Sequence, residues 1–261
     1  MHEHYRVLHL TLNRPTKRNA LTLQMCKDIV AAVKSAESRN DIGCLLISAN
    51  GSVFCAGMDL TEEPPVDELL TVHEELFTLG AKASKPIVIG VNGAALAGGL
   101  GLVAQGHVVL ASPNAVFGLP EVRIGFWPFV VYRAVESALG KRRTLELSLL
   151  GTSFQAQQAL SWGLVHQIHA AAEIHEMSKS VAREIGKSSP LAIEAGMRYV
   201  REAEGKSPHE TGEIAAKLRA QLMASTDYKE GTAAFREKRE PHWPSMPLDF
   251  YAKRSLPPDR S

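Results

Sequence analysis

Four short apolar runs, each bounded by turn-forming residues, constrain the fold of this chain more than any other feature. They are Val7–Leu12, 44–47, Ile87–Val91 and Val108–Ala111. Because these runs are continuously apolar rather than alternating, they indicate strands that are buried on both faces. Helical periodicity lies between the runs, at 23–33, where Thr22 can cap the first turn, and at 66–82. Strands that alternate with helices predict an α/β core.

The second half of the chain is predominantly helical. Helical patterns cover 130–139, 143–150, 155–162, 173–187, 191–203 and 211–224. Only 164–168 has the pattern of a strand, and the tail after Pro241 is proline-rich, which predicts irregular structure.

Composition excludes several classes of function. The chain has 261 residues, 45% hydrophobic and 22% charged, with a net charge of +1, so we expect neither nucleic acid nor a membrane as an obligatory partner. Its three cysteines are too few and too scattered for a disulfide framework or a zinc site. We therefore expect no metal and a cytoplasmic location.

The segment NGAALAGGLGLVAQG, residues 92–106, places five glycines between two apolar runs and carries no acid, base or nucleophile. A phosphate-binding P-loop would need Lys and a hydroxyl where Gly99 and Leu100 stand, and the dinucleotide pattern GxGxxG is absent. A strand, a turn and a short helix beginning near Gly98 remain. Such a turn presents free backbone N–H groups, although glycines that serve only close packing are an open alternative.

A second glycine turn has the same character. The segment SVFCAGMDL, residues 52–60, follows a predicted strand and turns at Gly57. If the two strands are neighbours, the N–H groups of Met58 and Gly98 meet at one point. Two such donors form an oxyanion hole, which stabilises a developing negative charge on oxygen.

Five motifs resemble the crotonase superfamily, the enoyl-CoA hydratase/isomerase family, in the order that the family has them. They are LNRPTKRNAL (12–21), FCAGMDL (54–60), KPIVIGVNGAALAGGLGL (85–102), FGLPEVRIGFWP (117–128) and DYKEGTAAFREKREPHW (227–243). The resemblance covers the chain nearly from end to end.

The resemblance implies a crotonase-like α/β spiral of ββα units over residues 1–195, which holds the acyl-CoA site. Residues 196–261 would form a C-terminal helical region for trimerisation and for covering the CoA. It also implies a homotrimer or a dimer of trimers, an acyl-CoA thioester substrate and no cofactor beyond the coenzyme A of that substrate. The N–H groups of Met58 and Gly98 would hold the thioester oxygen.

The chain departs from the family at one catalytic position. Family hydratases commonly use two glutamates twenty residues apart. The second corresponds to Glu121, but the first corresponds to Gly101. We expect Glu121 to lie among Phe117, Leu119, Ile124 and Trp127, where burial raises its pKa.

Further substrate contacts follow from the resemblance. They are Arg18, Ala20, Cys55 and Ala56 near the adenine, Asp59 as the residue that orders this loop, Gly99 and Gly101 beside the thioester, Trp127 and Phe129 in the acyl pocket, and Phe235 and Lys238 on the CoA of a neighbouring subunit. Phe129 also stands where some relatives carry an acid or a tyrosine. The bulk of Trp127 and Phe129 predicts a short or bent acyl group.

These residues predict an enzyme with one catalytic glutamate. It would move a double bond from the 3 to the 2 position of an acyl-CoA, or hydrate a 2-enoyl-CoA. The alternatives are a decarboxylase or thioesterase that uses the same oxyanion hole, and a homologue that binds acyl-CoA without turnover. An RNA-binding or scaffolding role has no basic stripe to support it.

Overall fold

The computed structural model describes residues 2–4 and 6–247. The strands are β1 (His2–His4), β2 (Val7–Leu12), β3 (Cys44–Ala49), β4 (Val53–Cys55), β5 (Ile87–Val91), β6 (Ala94–Leu96), β7 (Val108–Ala111), β8 (Val116–Gly118), β9 (Ser153–Gln155) and β10 (Gln167–Ile168). The α-helices are α1 (Leu23–Glu37), α2 (Val66–Leu76), α3 (Leu79–Lys82), α4 (Gly98–Val103), α5 (Phe129–Leu139), α6 (Lys141–Leu150), α7 (Ala156–Ser161), α8 (Ile174–Gly186), α9 (Pro190–Ala203), α10 (Pro208–Ala224) and α11 (Thr226–Glu237). Short 3₁₀ helices cover Pro15–Lys17 and Glu121–Ile124.

The four apolar runs form the centre of a six-stranded sheet with the order β1-β2-β3-β5-β7-β10. All its neighbours are parallel except the antiparallel pair β1 and β2. Every residue of β3 and β5 is buried, because α8 packs on one face of the sheet and the main hydrophobic core lies on the other. The predicted α/β core is confirmed.

A second sheet has the order β4-β6-β8-β9, and its strands are only three residues long. Strands β4, β6 and β8 run parallel to one another, so their carboxyl ends lie at one edge. The segments that leave this edge begin at residues 56, 97 and 119. These segments contain Met58, Gly98 and Glu121, so the small sheet brings three distant parts of the sequence together.

Several predicted elements differ from the structure. The predicted helix 66–82 is interrupted at Phe77 and Thr78, so α2 and α3 are separate. In the predicted strand 164–168 only Gln167–Ile168 pairs with β7, because the N–H groups of Leu164 and Val165 donate to the Ala159 carbonyl at the end of α7. The predicted helix 155–162 begins at Ala156, since Gln155 ends β9 and caps α7 through a capping box.

The C-terminal part of the described chain consists of α9, α10 and α11. Helix α10 begins at Pro208, three residues before the predicted start, because Ser207 and Glu210 form a capping box. Helix α11 had not been predicted from periodicity, and residues 241–247 are irregular, as expected. The predicted boundary at residue 195 falls within α9, and the division into two regions stays a prediction.

Within residues 2–4 and 6–247, no helix combines the length and the apolar character needed to cross a membrane. The remainder of the proline-rich tail, residues 248–261, lies outside the described residues.

Candidate active site

The two glycine turns touch each other. Gly57 has a φ of +102°, and a Cβ added there would lie 2.8 Å from the Ala97 Cβ and 3.5 Å from the Gly98 nitrogen. A Cβ added at Gly98 would lie 3.7 Å from the Gly57 Cα. Only glycine allows this backbone conformation and this approach at position 57.

Hydrogen bonding leaves the two candidate N–H groups available. Met58 forms an isolated parallel bridge with Leu21, in which the Leu21 N–H donates to the Gly57 carbonyl and the Asp59 N–H donates to the Leu21 carbonyl. In a parallel bridge these bonds flank Met58, so its own N–H points away from Leu21. Gly98 begins α4, and the N–H of a first helical residue has no partner within its helix. Among the backbone hydrogen bonds of the described chain, neither N–H group is a donor.

The backbone at the start of α4 is strained and tightly packed. Ala97 has φ +51° and ψ −122°, a region that residues other than glycine rarely adopt. A Cβ added at Gly99 would lie 2.3 Å from the Cys55 carbonyl oxygen. The glycines of this turn therefore serve close packing and also leave the Gly98 N–H without a backbone partner.

Glu121 follows the third parallel strand of the same edge. It begins the 3₁₀ helix Glu121–Ile124, only 7% of its surface is exposed, and its Oε2 is buried with no hydrogen-bond partner. Burial raises the pKa of Glu121 from its ordinary 4.5 to about 7. The expected rise in pKa is confirmed. Ile124 had been expected beside this carboxyl group, but it is 63% exposed, because the 3₁₀ helix turns its side chain outwards.

Position 101 is closely packed against two apolar side chains. A Cβ added at Gly101 would lie 2.8 Å from Cε1 of Phe77 and 3.1 Å from Cγ1 of Val131. Both contacts are closer than side chains normally allow, and Phe77, Val131 and Gly101 are all buried. The Cβ position of a first glutamate is therefore crowded by apolar groups from α5 and from the residue that follows α2.

The loop expected near the adenine is held by several hydrogen bonds. The Ala56 N–H donates to the Arg18 carbonyl, and the Arg14 guanidinium donates to the Ala20 carbonyl at 2.7 Å. The same guanidinium donates to the Asp59 carboxylate at 3.0 Å. The Thr61 hydroxyl and N–H also donate to Asp59, and these bonds, with Arg14, lower the pKa of Asp59 to about 2. Asp59 thus ties the loop after Met58 to the N-terminal segment.

Other expected substrate contacts lie on more open surfaces. Trp127 stacks on Tyr132 with ring centroids 6.1 Å apart, and Phe129, which meets Phe126 edge to face, is 67% exposed. Phe235 is 86% exposed on α11, and Lys238 ends that helix in a left-handed conformation. Cys55 is buried, and burial raises the pKa of its thiol to about 12, so it is a packing residue rather than a nucleophile.

Sequence reasoning missed two residues that shape the site. Asn19 is fully buried at a φ of +51°, its amide donates to the carbonyls of Asn50 and Val53, and it accepts from the Arg14 N–H. Phe77 covers Gly98 as well as Gly101, at 3.4 Å from an added Gly98 Cβ. An asparagine in a turn is a signal for a residue in the left-handed conformation. Phe77 gave no such signal, because the sequence predicted one continuous helix through it.

Comparison with known proteins agrees with this geometry. The family model for enoyl-CoA hydratase/isomerase matches residues 2–246. The mevalonyl-coenzyme A hydratase of Aspergillus fumigatus is 34% identical over 248 residues, which are 91% of each chain. The 2,3-dehydroadipyl-CoA hydratase of Escherichia coli is 34% identical over 90% of this chain and 94% of its own.

The fold agrees with solved structures as well. The crystal structure of human enoyl-CoA hydratase domain-containing protein 3 superimposes with a TM-score of 0.87 at 27% identity, over 93% of this chain and 98% of that chain. The chain belongs to the enoyl-CoA hydratase/isomerase family, the crotonase superfamily, and it is an enzyme of this family.

Proposed function

We propose that this enzyme shifts the double bond of a 3-enoyl-CoA to the 2 position, with Glu121 as its one proton-transferring group. The Glu121 carboxylate removes a proton from C2, and the electrons move into a dienolate whose oxygen accepts hydrogen bonds from the N–H groups of Met58 and Gly98. The protonated Glu121 then delivers the same proton to C4. The reaction is balanced, and the predicted absence of a cofactor stays part of the proposal.

The observation that carries the proposal is the packing at Gly101. Hydration by two carboxylates needs one group to activate water and another to deliver a proton. Phe77 and Val131 crowd the Cβ position of one of them, at 2.8 and 3.1 Å, so a glutamate at position 101 would require these side chains to shift. An isomerisation needs one base that returns its proton, and Glu121 remains for this role.

The environment of Glu121 suits a base of this kind. A general base works best when its pKa lies near the pH at which it operates. A pKa of about 7 leaves a large fraction of Glu121 ionised at neutral pH, while its conjugate acid is still strong enough to return the proton. The buried and unpartnered Oε2 leaves a lone pair for the substrate.

A second candidate is hydration of a 2-enoyl-CoA by Glu121 alone. The names of the two 34% identical relatives favour it, because both are hydratases. Glu121 would then activate the water and also return the proton, with the water held on the side of the substrate away from Gly101.

Turnover of 3-enoyl-CoA and 2-enoyl-CoA substrates of several chain lengths distinguishes the candidates, with Glu121→Gln measured in parallel. Fast isomerisation that is lost in Glu121→Gln, with slow hydration, supports the proposal. Fast hydration that depends on Glu121 supports the second candidate. Tight CoA binding without turnover of any substrate would contradict both and support a binding protein, and release of free CoA or of CO₂ would support a thioesterase or a decarboxylase.

The CoA contacts and the assembly are also proposals. We propose that Arg18, Ala20, Cys55 and Ala56 face the adenine, and that Phe235 and Lys238 reach the CoA of a neighbouring subunit in a trimer or a dimer of trimers. The exposure of Phe235 supports a partner at α11. Light scattering after gel filtration tests this, since a monomeric mass contradicts it. A cytoplasmic location stays a prediction that fractionation of cells would test.

A further inference from the structure

His73 carries a buried polar atom that the proposed reaction does not use. Its Nε2 is inaccessible to solvent and has no hydrogen-bond partner among the described residues. Buried polar atoms without a partner are rare in native proteins, because each loses its bond to water without replacement. The only buried carboxylate oxygen in the same condition in the described chain is Oε2 of Glu121, which faces a reactant in the proposal above.

The position of His73 relates it to the candidate site. It lies one helical turn before Phe77 on the same face, and the two rings meet edge to face with centroids 5.5 Å apart. Phe77 in turn contacts the positions of Gly98 and Gly101. One ring, that of Phe77, therefore separates His73 from Gly98, whose N–H group is a candidate oxyanion donor.

The face of α2 that carries His73 becomes more exposed with distance from Gly98 and Gly101. Phe77 is buried and His73 is half-buried, whereas Leu70 is 57% and Val66 is 67% exposed. Residues 66, 70, 73 and 77 repeat at helical spacing, so they form one apolar strip that leads from the surface to Gly98. His73 is the one polar side chain in this strip.

The two carboxylates that follow His73 on α2 pair with other residues and not with its imidazole. The Glu74 carboxylate pairs with Arg133 at 2.9 Å, and the Glu75 carboxylate pairs with Lys34 at 2.7 Å. Burial lowers the pKa of His73, so the imidazole is neutral at physiological pH. A neutral imidazole forms hydrogen bonds with a neutral hydroxyl or carbonyl group and lacks the charge that would attract a carboxylate.

We propose that His73 is a specificity residue that hydrogen-bonds a neutral oxygen, a hydroxyl or a carbonyl, on the acyl chain several carbons from the thioester. The inference deepens the proposed function and rests on it, because it takes the oxyanion turn as the place of the thioester. The Phe77 ring stands between His73 and Gly98, so His73 selects the acyl group and does not transfer the proton.

The test compares substrates of six to eight carbons with and without a terminal hydroxyl or keto group, in the parent, His73→Leu and His73→Gln. It uses the 3-enoyl or the 2-enoyl series, whichever the parent converts. We expect kcat/KM of the parent to be about tenfold higher for the oxygenated substrates, the range of a hydrogen bond to a neutral group. His73→Leu should lose this preference and His73→Gln should keep part of it. His209→Leu, the same change at an exposed site on α10, should behave as the parent.

Thermal unfolding without ligand separates recognition from a structural role. Removal of an unpartnered buried nitrogen should leave His73→Leu at least as stable as the parent, whereas a lower melting temperature would show a structural bond and contradict the inference. Equal kcat/KM of the parent for oxygenated and plain substrates would overturn it, and so would equal losses for both in His73→Leu. Failure of the parent to convert any substrate would instead contradict the proposed function.

Discussion

By the resemblance to the family, positions 101 and 121 correspond to the two glutamates that hydratases commonly use, but the structure around the two positions differs. At 121 a carboxyl group is kept, buried and without a hydrogen-bond partner, and its pKa is raised to about 7. At 101 even a Cβ would meet Phe77 and Val131 within 3.1 Å.

The difference shows that glycine in place of the first glutamate is accompanied by close packing of the neighbouring side chains. A glycine alone would leave a hole, which a water molecule could fill in a polar site. Here the Phe77 and Val131 side chains lie against the Cβ position of residue 101, so the departure from the family pattern is accompanied by apolar packing. The predictions below test each side of this contrast, beginning with the largest effect.

Loss of the single carboxylate should have the largest effect. We expect Glu121→Gln to lower kcat by about 100- to 10,000-fold, the range for removal of a general base, with little change in CoA binding. Steady-state kinetics with the preferred enoyl-CoA and calorimetric titration of CoA check this. Retention of more than a tenth of the parent activity would show that another group transfers the proton.

The glycine turn at Gly57, which positions the Met58 N–H, should be nearly as sensitive to substitution. Gly57→Ala adds a Cβ at a φ of +102° and 2.8 Å from the Ala97 Cβ, so it displaces the Met58 N–H from Gly98. We expect a loss of about 100- to 1,000-fold in kcat, as for removal of one oxyanion donor. Gly196→Ala is the matched control, because nothing lies within 4 Å of an added Cβ on α9. Parent-like kinetics of Gly57→Ala would argue against the two-donor site.

The raised pKa of Glu121 links stability and activity to pH. Its pKa is about 7 in the folded protein and 4.5 ordinarily, so its contribution to stability is complete below pH 4.5, declines as pH rises to 7 and is absent above. Glu121→Gln lacks this loss, so its stability relative to the parent should increase by up to about 3 kcal/mol between pH 4.5 and 8.

Denaturant unfolding of both proteins across this pH range measures the difference. Activity should have the opposite dependence, since the base acts when ionised, and kcat/KM should rise with pH through about 7. A constant difference in stability, or an activity limb near pH 4.5, would contradict the burial of an uncompensated carboxyl group.

Restoring the first carboxylate should succeed only when its space is restored. Gly101→Glu alone should destabilise the fold by about 1–3 kcal/mol through overpacking and give no faster hydration. Gly101→Glu with Phe77→Ala should raise the ratio of hydration to isomerisation by about 100-fold, the lower end of the range for general acid–base groups. Phe77→Ala alone is the control for added space. Equal hydration by Gly101→Glu with and without Phe77→Ala would show that Phe77 does not block this position.

The smallest effect should come from the loop that we propose to lie near the adenine. Asp59→Asn weakens the bonds from Thr61 and Arg14, and we expect KM for the acyl-CoA to rise about two- to fivefold with kcat unchanged, as for a partly exposed ion pair. Asp41→Asn, which breaks the contact with Arg39, is the control and should leave KM unchanged. A fall in kcat alone would place Asp59 in the chemistry instead.

The sequence by itself determined the main sheet and the order of the motifs. Continuous apolar runs specify buried parallel strands, since each residue must be covered on both faces, and β2, β3, β5 and β7 lie where the runs are. The two glycine turns were recognisable because Gly57 and the start of α4 need backbone freedom that few residues provide. Glu121 was identified only through the resemblance to the family.

The tertiary structure decided what surrounds these residues. The strands β4, β6 and β8 are only three residues long, and parallel pairing places their ends together, which no local pattern indicates. Phe77 and Val131 are distant in sequence from Gly101, so only packing shows that its missing side chain is replaced. The pKa of Glu121 likewise depends on burial by the whole site. Local sequence sets backbone conformation and strand burial, whereas the space and the electrostatics of the site arise from contacts between segments far apart in the chain.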